Sequence, residues 1–234
     1  MPTERIYLQD DQCMQVTTVV TAVVPGMFAT AASPFFVGGG GQPIDTGWVD
    51  ATPITTITVD EHDTIWHHSD ALMHVNQSVL LAVDSTHRAV VSRYHTALHI
   101  LNTLALERYN AWLTGAAITL AYGRIDLAIE QIDAAMIADL QVNMNAVIAA
   151  NHAVRAYSIS PEEFAQRSDL LRTINVRPPV YQGSMRVVEI EGFDAQACGG
   201  THVRQTLDIG PCEIYKTENK GKQNKRIYVR FMTA

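Results

Sequence analysis

Two residue pairs in this chain carry the chemistry of metal ligation: His95 and His99 in His95-Thr96-Ala97-Leu98-His99, and Cys198 and His202 in Cys198-Gly199-Gly200-Thr201-His202. In a helix, a four-residue step leaves two side chains on one face, roughly 40° apart about the axis. His95 and His99 can therefore grip one ion or pack side by side. A zinc protease helix carries Glu directly after its first histidine as general base; Thr96 stands there, which excludes that mechanism. Thiolate and imidazole are donors that zinc prefers, and the two glycines allow a tight backbone course that turns both side chains inward. Taken as one set, the four residues predict a metal centre, with zinc the leading ion. Four protein ligands describe a closed structural site, whereas a catalytic zinc keeps one position open. Either one ligand, His202 for example, is displaced, or the metal orders the pocket while another group activates water. His62, His67, His68, His74, His87 and His152 have no matching partner, though His67-His68 is a tempting pair, and they are expected to be ordinary exposed histidines.

A second unusual segment is Gly38-Gly39-Gly40-Gly41-Gln42-Pro43-Ile44-Asp45-Thr46-Gly47. It lacks the Lys-Ser/Thr ending of a phosphate loop and the GxGxxG spacing of a dinucleotide fold. It reads as a hairpin loop, or as a loop whose bare backbone comes close to a ligand, with the Gln42 amide offered for hydrogen bonds. The formal charge of −7 opposes general nucleic-acid binding, which needs surplus Lys and Arg. The C-terminal end departs from that average: Lys216, Lys220, Lys222, Lys225, Arg226 and Arg230 face one acid, Glu218. Such a run is a solvated hairpin or a phosphate contact. Three scattered cysteines imply no disulfide framework. The opening residues lack a signal-peptide pattern, and the apolar run Val16 to Val24 is threonine-interrupted and stopped by Pro25, so a cytoplasmic protein with no membrane partner is expected.

The elements that must position these residues are legible in outline. From Gln15 to about Arg88, short Val/Ile/Leu/Thr runs are broken by Pro25, the glycine run, Pro43, Gly47 and Pro53, which predicts a mostly β, barrel-like N-terminal domain over residues 1–89. Val91, His95, Leu98, Asn102, Leu106 and Tyr109 recur at helical steps, predicting a helix from about Val90 to Tyr109. A second helix is expected from about Leu127 to Asn151. Ser160-Pro161-Glu162-Glu163 combines an N-cap serine, proline at the first helical position and a glutamate that closes a capping box, so a short helix should run to about Leu171. Pro178-Pro179 ends any helix, and Arg186–Ile190, Cys212–Thr217 and Arg226–Met232 alternate as strands. Residues 90–234 are thus expected to form a second, α+β domain, and the fold class is α+β.

These motifs occur together and in order, and the sequence resembles the AlaX family of alanyl-tRNA editing proteins, itself similar to the editing domain of alanyl-tRNA synthetase. The resemblance covers nearly the whole chain. It is carried by the Gly-Gly-Gly-Gln42-Pro43 loop with Asp45-Thr46-Gly47, His95 through His99, Arg124-Ile125-Asp126, Phe193-Asp194, Cys198 through Val203, Ile209-Gly210 and Lys216 through Lys222. Four glycines stand where three are usual. The resemblance implies a β-barrel-like domain packed on an editing domain that holds Zn2+ at His95, His99, Cys198 and His202. It implies an aminoacyl-tRNA deacylase that cuts the ester of serine or glycine wrongly attached to alanine tRNA. A synthetase pocket sized for alanine rejects these two weakly, so a second hydrolytic site is needed. Serine's hydroxyl offers a handle, for which Thr114, helped by Gln42, is the candidate partner. The basic hairpin with Lys216, Lys220, Lys222, Lys225 and Arg226 gains a role as tRNA contact. The rival readings are the related threonyl-type editing domain, which also removes serine, and a zinc-stabilised RNA-binding module without catalysis.

Overall fold

Alternation of β-branched and polar residues in the first part of the chain produces a seven-stranded sheet: β1 (Gln15–Val24), β2 (Met27–Thr30), β3 (Gly47–Val49), β4 (Thr52–Ile54), β5 (Thr56–Val59), β6 (Ile65–His68) and β7 (Ser78–Val83). The structure is a computed structural model and describes residues 2–172 and 180–232. All pairings in this sheet are antiparallel, in the order β4-β3-β7-β1-β2-β6-β5. Its two edge strands, β4 and β5, are consecutive in the chain with only Thr55 between them, so the sheet curls into a nearly closed barrel. Closure leaves little edge to pair with other chains. Val20, Phe28, Phe35, Val49, Ile65, Leu81 and their neighbours fill the interior. His67, expected at the surface, is instead fully buried there: its Nε2 lies 3.0 Å from Ser33 Oγ and its ring stacks on Phe28. Burial pushes its pKa down to about 4, so the ring is neutral.

Backbone contacts group the chain into two units, Met1–Gly39 with Pro43–Val90, and Gly40–Gln42 with Val91–Ala234. In the first unit Asp45 and Arg88 form a buried ion pair, and Arg88 also donates to the Asp11 and Pro34 carbonyls at 2.8 Å each. Asp45 accepts from the Phe36 amide at 2.6 Å, and the Asp45 amide donates back to the Phe36 carbonyl, which pins the base of the glycine-rich loop.

Helix α1 runs Ser85–Tyr109, five residues earlier than its periodicity suggests. The cause is a cap: Asp84 Oδ1 accepts from the Thr86 and His87 amides at 2.9 and 3.1 Å, satisfying free donors at the helix start. From Val91 to Ala105 only Arg93 escapes full burial, so this central stretch of α1 is enclosed around nearly its whole circumference rather than lying amphipathically on a core. Its polar face, His95, Thr96, His99, Asn102 and Thr103, is therefore buried too.

The second predicted helix begins later than expected: α2 runs Ala134–Ala149, started by Asp133, whose side chain accepts from the Met136 amide at 2.8 Å. Leu127, placed in that helix by its apolar periodicity, lies in a strand. The sheet concerned has the order β8-β9-β14-β13, from β8 (Trp112–Ile118), β9 (Gly123–Ala128), β13 (Cys212–Gly221) and β14 (Asn224–Phe231). Beyond α2 come β10 (Val154–Ile159), α3 (Pro161–Gln166), β11 (Ser184–Ile190) and β12 (Asp194–Ala197), with β10 and β12 flanking β11 antiparallel. Ser160 caps α3 as its sequence predicts, but α3 ends at Gln166 and a 3-10 turn, Ser168–Leu170, follows. Pro178-Pro179 lies outside the described residues. The architecture is mixed helix and sheet, and rich in sheet. No helix among the described residues is long and apolar enough to cross a membrane.

Candidate metal centre

Helix α1 supplies His95 and His99 from one buried face, and the loop after β12 supplies Cys198 and His202. One ligand atom from each lies within 4.8 Å of all the others. Cys198 Sγ is 3.5 Å from His95 Nε2 and 3.4 Å from His202 Nε2, while the ring centroids of His95 and His202 are 4.3 Å apart. Burial pushes His95 and His202 well below the usual histidine range, helped by the neighbouring imidazoles and the Arg186 charge. Burial likewise lowers His99 to about 3. All three are therefore neutral, the form that offers a lone pair to a metal. Three neutral imidazoles and one thiol converging in a buried space fit a divalent ion of zinc's chemistry.

The loop reaches this geometry because Gly200 has no side chain. A Cβ there would stand 2.2 Å from His95 Cε1 and 2.5 Å from Gln42 Oε1, closer than any real contact. Arg186, on β11, holds the loop from beneath: its Nη1 donates to the Cys198 and Gly200 carbonyls at 3.1 and 2.7 Å, and the Cys198 amide donates to the Arg186 carbonyl.

Gln42 reaches the centre but not as a free amide. Its Oε1 lies 2.7 Å from His95 Nδ1 and accepts from the Thr201 amide, and its Nε2 donates to Thr201 Oγ1 at 2.9 Å. Thr201 Oγ1 in turn lies 2.8 Å from Ser92 Oγ. Gln42 thus touches a candidate ligand, and its position follows from Gly41, whose carbonyl accepts from the Ile118 amide on β8 at 2.8 Å. At Gly41, with φ +90°, a Cβ would strike the Ala116 carbonyl at 2.4 Å. The bare backbone anticipated in this loop is thus used, at Gly41, to approach a strand.

Thr114 lies in β8. Its hydroxyl donates to the Asp126 carbonyl at 3.1 Å and faces Asn224 Oδ1 at 3.3 Å, so its hydrogen bonds tie it to the sheet and not to the four-ligand cluster. The basic residues fall on the β13–β14 hairpin with different commitments. Lys216 pairs with Glu218 at 2.5 Å, Arg226 grips Asp126 through two bonds of 2.6 and 2.8 Å, and Lys225 Nζ caps the Gly221 carbonyl at 2.7 Å. Lys220 and Lys222 are exposed and have no ion pair among the described residues.

Thr96, Thr201, Ser92, Arg186 and Gln196 were not singled out from sequence, yet each supports the cluster. Thr96 Oγ1 sits 3.0 Å from His202 Nδ1, and Gln196 Nε2 donates to the His99 carbonyl at 3.3 Å and to Thr103 Oγ1 at 3.0 Å. Only Thr96 and Thr201 carried a signal, by lying inside the two ligand motifs.

Residues 185–228, which include the Cys198 to His202 loop, match the family described as the second additional domain of threonyl and alanyl tRNA synthetases. Over 97% of its length the chain is 30% identical to the alanyl-tRNA editing protein AlaX-M of Saccharolobus solfataricus, covering 98% of that protein. The AlaX-M of Methanosarcina barkeri gives the same identity and the same two coverages. The alanine–tRNA ligase of Korarchaeum cryptofilum is 31% identical over 92% of this chain, which corresponds to 25% of the ligase. With near-complete coverage in both directions, and with the His/His and Cys/His pairs meeting in one cluster, the chain belongs to the AlaX-M family of alanyl-tRNA editing proteins.

Proposed function

We propose that this chain is a free-standing deacylase that hydrolyses the ester of serine, or glycine, wrongly attached to alanine tRNA, at a zinc centre formed by His95, His99, Cys198 and His202. The observation that carries the proposal is the convergence of three buried histidines and the half-buried Cys198 in a chain that aligns with AlaX-M over nearly its whole length. In this reading residues 1–89 form a barrel-like domain and residues 90–234 the α+β editing domain. A bound zinc would supply Lewis-acid chemistry, polarising the ester carbonyl. The chain's own residues orient and shield: Gln42 fixes the His95 ring, Thr96 faces His202, Arg186 and Gly200 shape the loop, and the enclosed helix face excludes bulk water. The threonyl-type alternative shares the matched domain, whose description names both synthetases, but the relatives that align with the whole chain are alanyl-tRNA editing proteins. The exposed Lys220 and Lys222, with Lys216, Lys225 and Arg226 behind them, are proposed to meet tRNA phosphates. Thr114 is proposed to read serine's hydroxyl, for which its hydroxyl would exchange a sheet bond for a substrate bond.

The test is release of labelled serine and of labelled alanine from alanine tRNA by the purified protein, with and without a zinc chelator. Rapid serine release with alanine spared, abolished by the chelator and restored by zinc, is the expected result. No release of either from folded, zinc-loaded protein would favour the binding-module reading. Thr114→Val should keep the fold and lower the preference for serine over alanine about tenfold, as expected when one hydrogen bond of selectivity is lost; an unchanged ratio removes Thr114 from the site.

A further inference from the structure

The four candidate ligands are not held alike. Gln42 is locked in one amide orientation, because its Oε1 accepts from the Thr201 amide and its Nε2 donates to Thr201 Oγ1. His95 Nδ1, 2.7 Å from that Oε1, must therefore be the donor, which leaves the lone pair on Nε2, the nitrogen beside Cys198 Sγ. Thr96 makes the same decision for His202. Its hydroxyl proton is used on the Ser92 carbonyl at 3.0 Å and it accepts from the Val203 amide at 3.2 Å, so His202 Nδ1 donates to it and Nε2 turns its lone pair toward Cys198. Cys198 is fixed through its backbone, which Arg186 binds from both sides.

His99 has no such partner. Its Nδ1 is buried without a hydrogen bond, and among the described residues neither of its ring nitrogens bonds to a protein group. Only its backbone is held, by Gln196, and its ring meets His95 and His202 edge-on. A hydrogen bond to the distal nitrogen fixes a ligating imidazole and raises its basicity, and losing one typically costs a factor of 10 to 100 in metal affinity.

We infer that His95, Cys198 and His202 are the permanent ligands and that His99 is the exchangeable one, so that the centre passes between a closed four-ligand state and a three-ligand state with one position free for an incoming ligand. This rests on the zinc reading above. It also reconciles four protein ligands with a catalytic role, since a catalytic site needs one open position, and it assigns the displaced ligand to His99 rather than His202.

The experiment measures zinc per chain after dialysis, and zinc Kd by competition with a chromophoric chelator, for the wild type and for His99→Ala, His95→Ala, Cys198→Ala and His202→Ala, with circular dichroism to check folding. The expected result is that His99→Ala keeps one zinc per chain with Kd weakened about tenfold, while the other three weaken it more than about a hundredfold. Loss of zinc from His99→Ala equal to that from Cys198→Ala overturns the inference while leaving the zinc centre intact. A wild type that binds no zinc overturns both. Should His99→Ala fail to fold, cobalt-loaded wild type titrated with thiocyanate decides: altered visible bands show an exchangeable position, and an unchanged spectrum rejects it.

Discussion

Gly200 ties the chemistry of the centre to a single missing atom. Its backbone passes so near His95 and Gln42 that any Cβ must displace one of them, and His95 lies in the buried stretch of α1. Gly200→Ala is therefore expected to leave the chain folded but reduce zinc affinity at least tenfold, measured by chelator competition; unaltered affinity would show that the loop relaxes at no cost. Thr96 allows a sharper test, because its role depends on one oxygen. Thr96→Val removes the acceptor for His202 Nδ1 and should weaken zinc about 10- to 100-fold, while Thr96→Ser, which keeps the hydroxyl, should stay close to wild type. That His95, His99, Cys198 and His202 could hold one metal ion was legible from residue type and spacing, and the structure brings the four together. Their supporting shell was not legible, because a threonine, a glutamine or an arginine acquires such a role only from what it faces.

At the scale of elements, helix ends and weakly favoured strands depend on contacts that apolar periodicity does not contain. Periodicity finds a helix but not its ends, and the ends are set by local polar contacts. Asp84 starts α1 five residues early, and Asp133 starts α2 after Leu127 has already entered β9. Asp133→Ala should cost about 1 kcal/mol, the usual value of an N-cap, read from urea denaturation. The β8 and β9 strands were missed because their residues, among them Gly115, Ala116, Ala117 and Gly123, have weak strand preference; their pairing with each other and with β14 decides the conformation. Gly123 shows the tertiary demand directly, since a Cβ there would press on Leu98 of α1 at 3.3 Å.

Across the whole molecule, net negative charge and a basic hairpin coexist. If Lys220 and Lys222 contact tRNA phosphates, the double substitution Lys220→Ala/Lys222→Ala should raise KM for charged tRNA and flatten the log–log salt dependence of binding by about 2. An unchanged slope would return these lysines to a purely solvating role. The barrel carries its own pH dependence through His67. Its folded pKa of about 4 lies below the 6.5 expected when unfolded, so the unfolded chain takes up the proton first. Stability should be complete above pH 6.5 and fall as the pH drops toward 4, by about 2 kcal/mol at pH 5. Denaturation of wild type and His67→Gln over this range checks it: the variant should have the shallower dependence.

Sequence alone determined the candidate ligand types, the β-rich character of the first ninety residues, the Ser160 cap and the resemblance that the comparisons bear out, because these depend on residue identity, short-range spacing and motif order. Only the tertiary structure decided that α1 is enclosed from Val91 to Ala105, that Gln42 and Thr96 set the tautomers of two histidines, that His99 has no such support and that Thr114 bonds to the sheet. Each of these is a relation between groups separated by many residues. Gln42 and Thr201, Thr96 and His202, and Arg186 and Gly200 become neighbours only when strands pair and the helix is buried, since no local preference encodes which distant polar group satisfies a buried one.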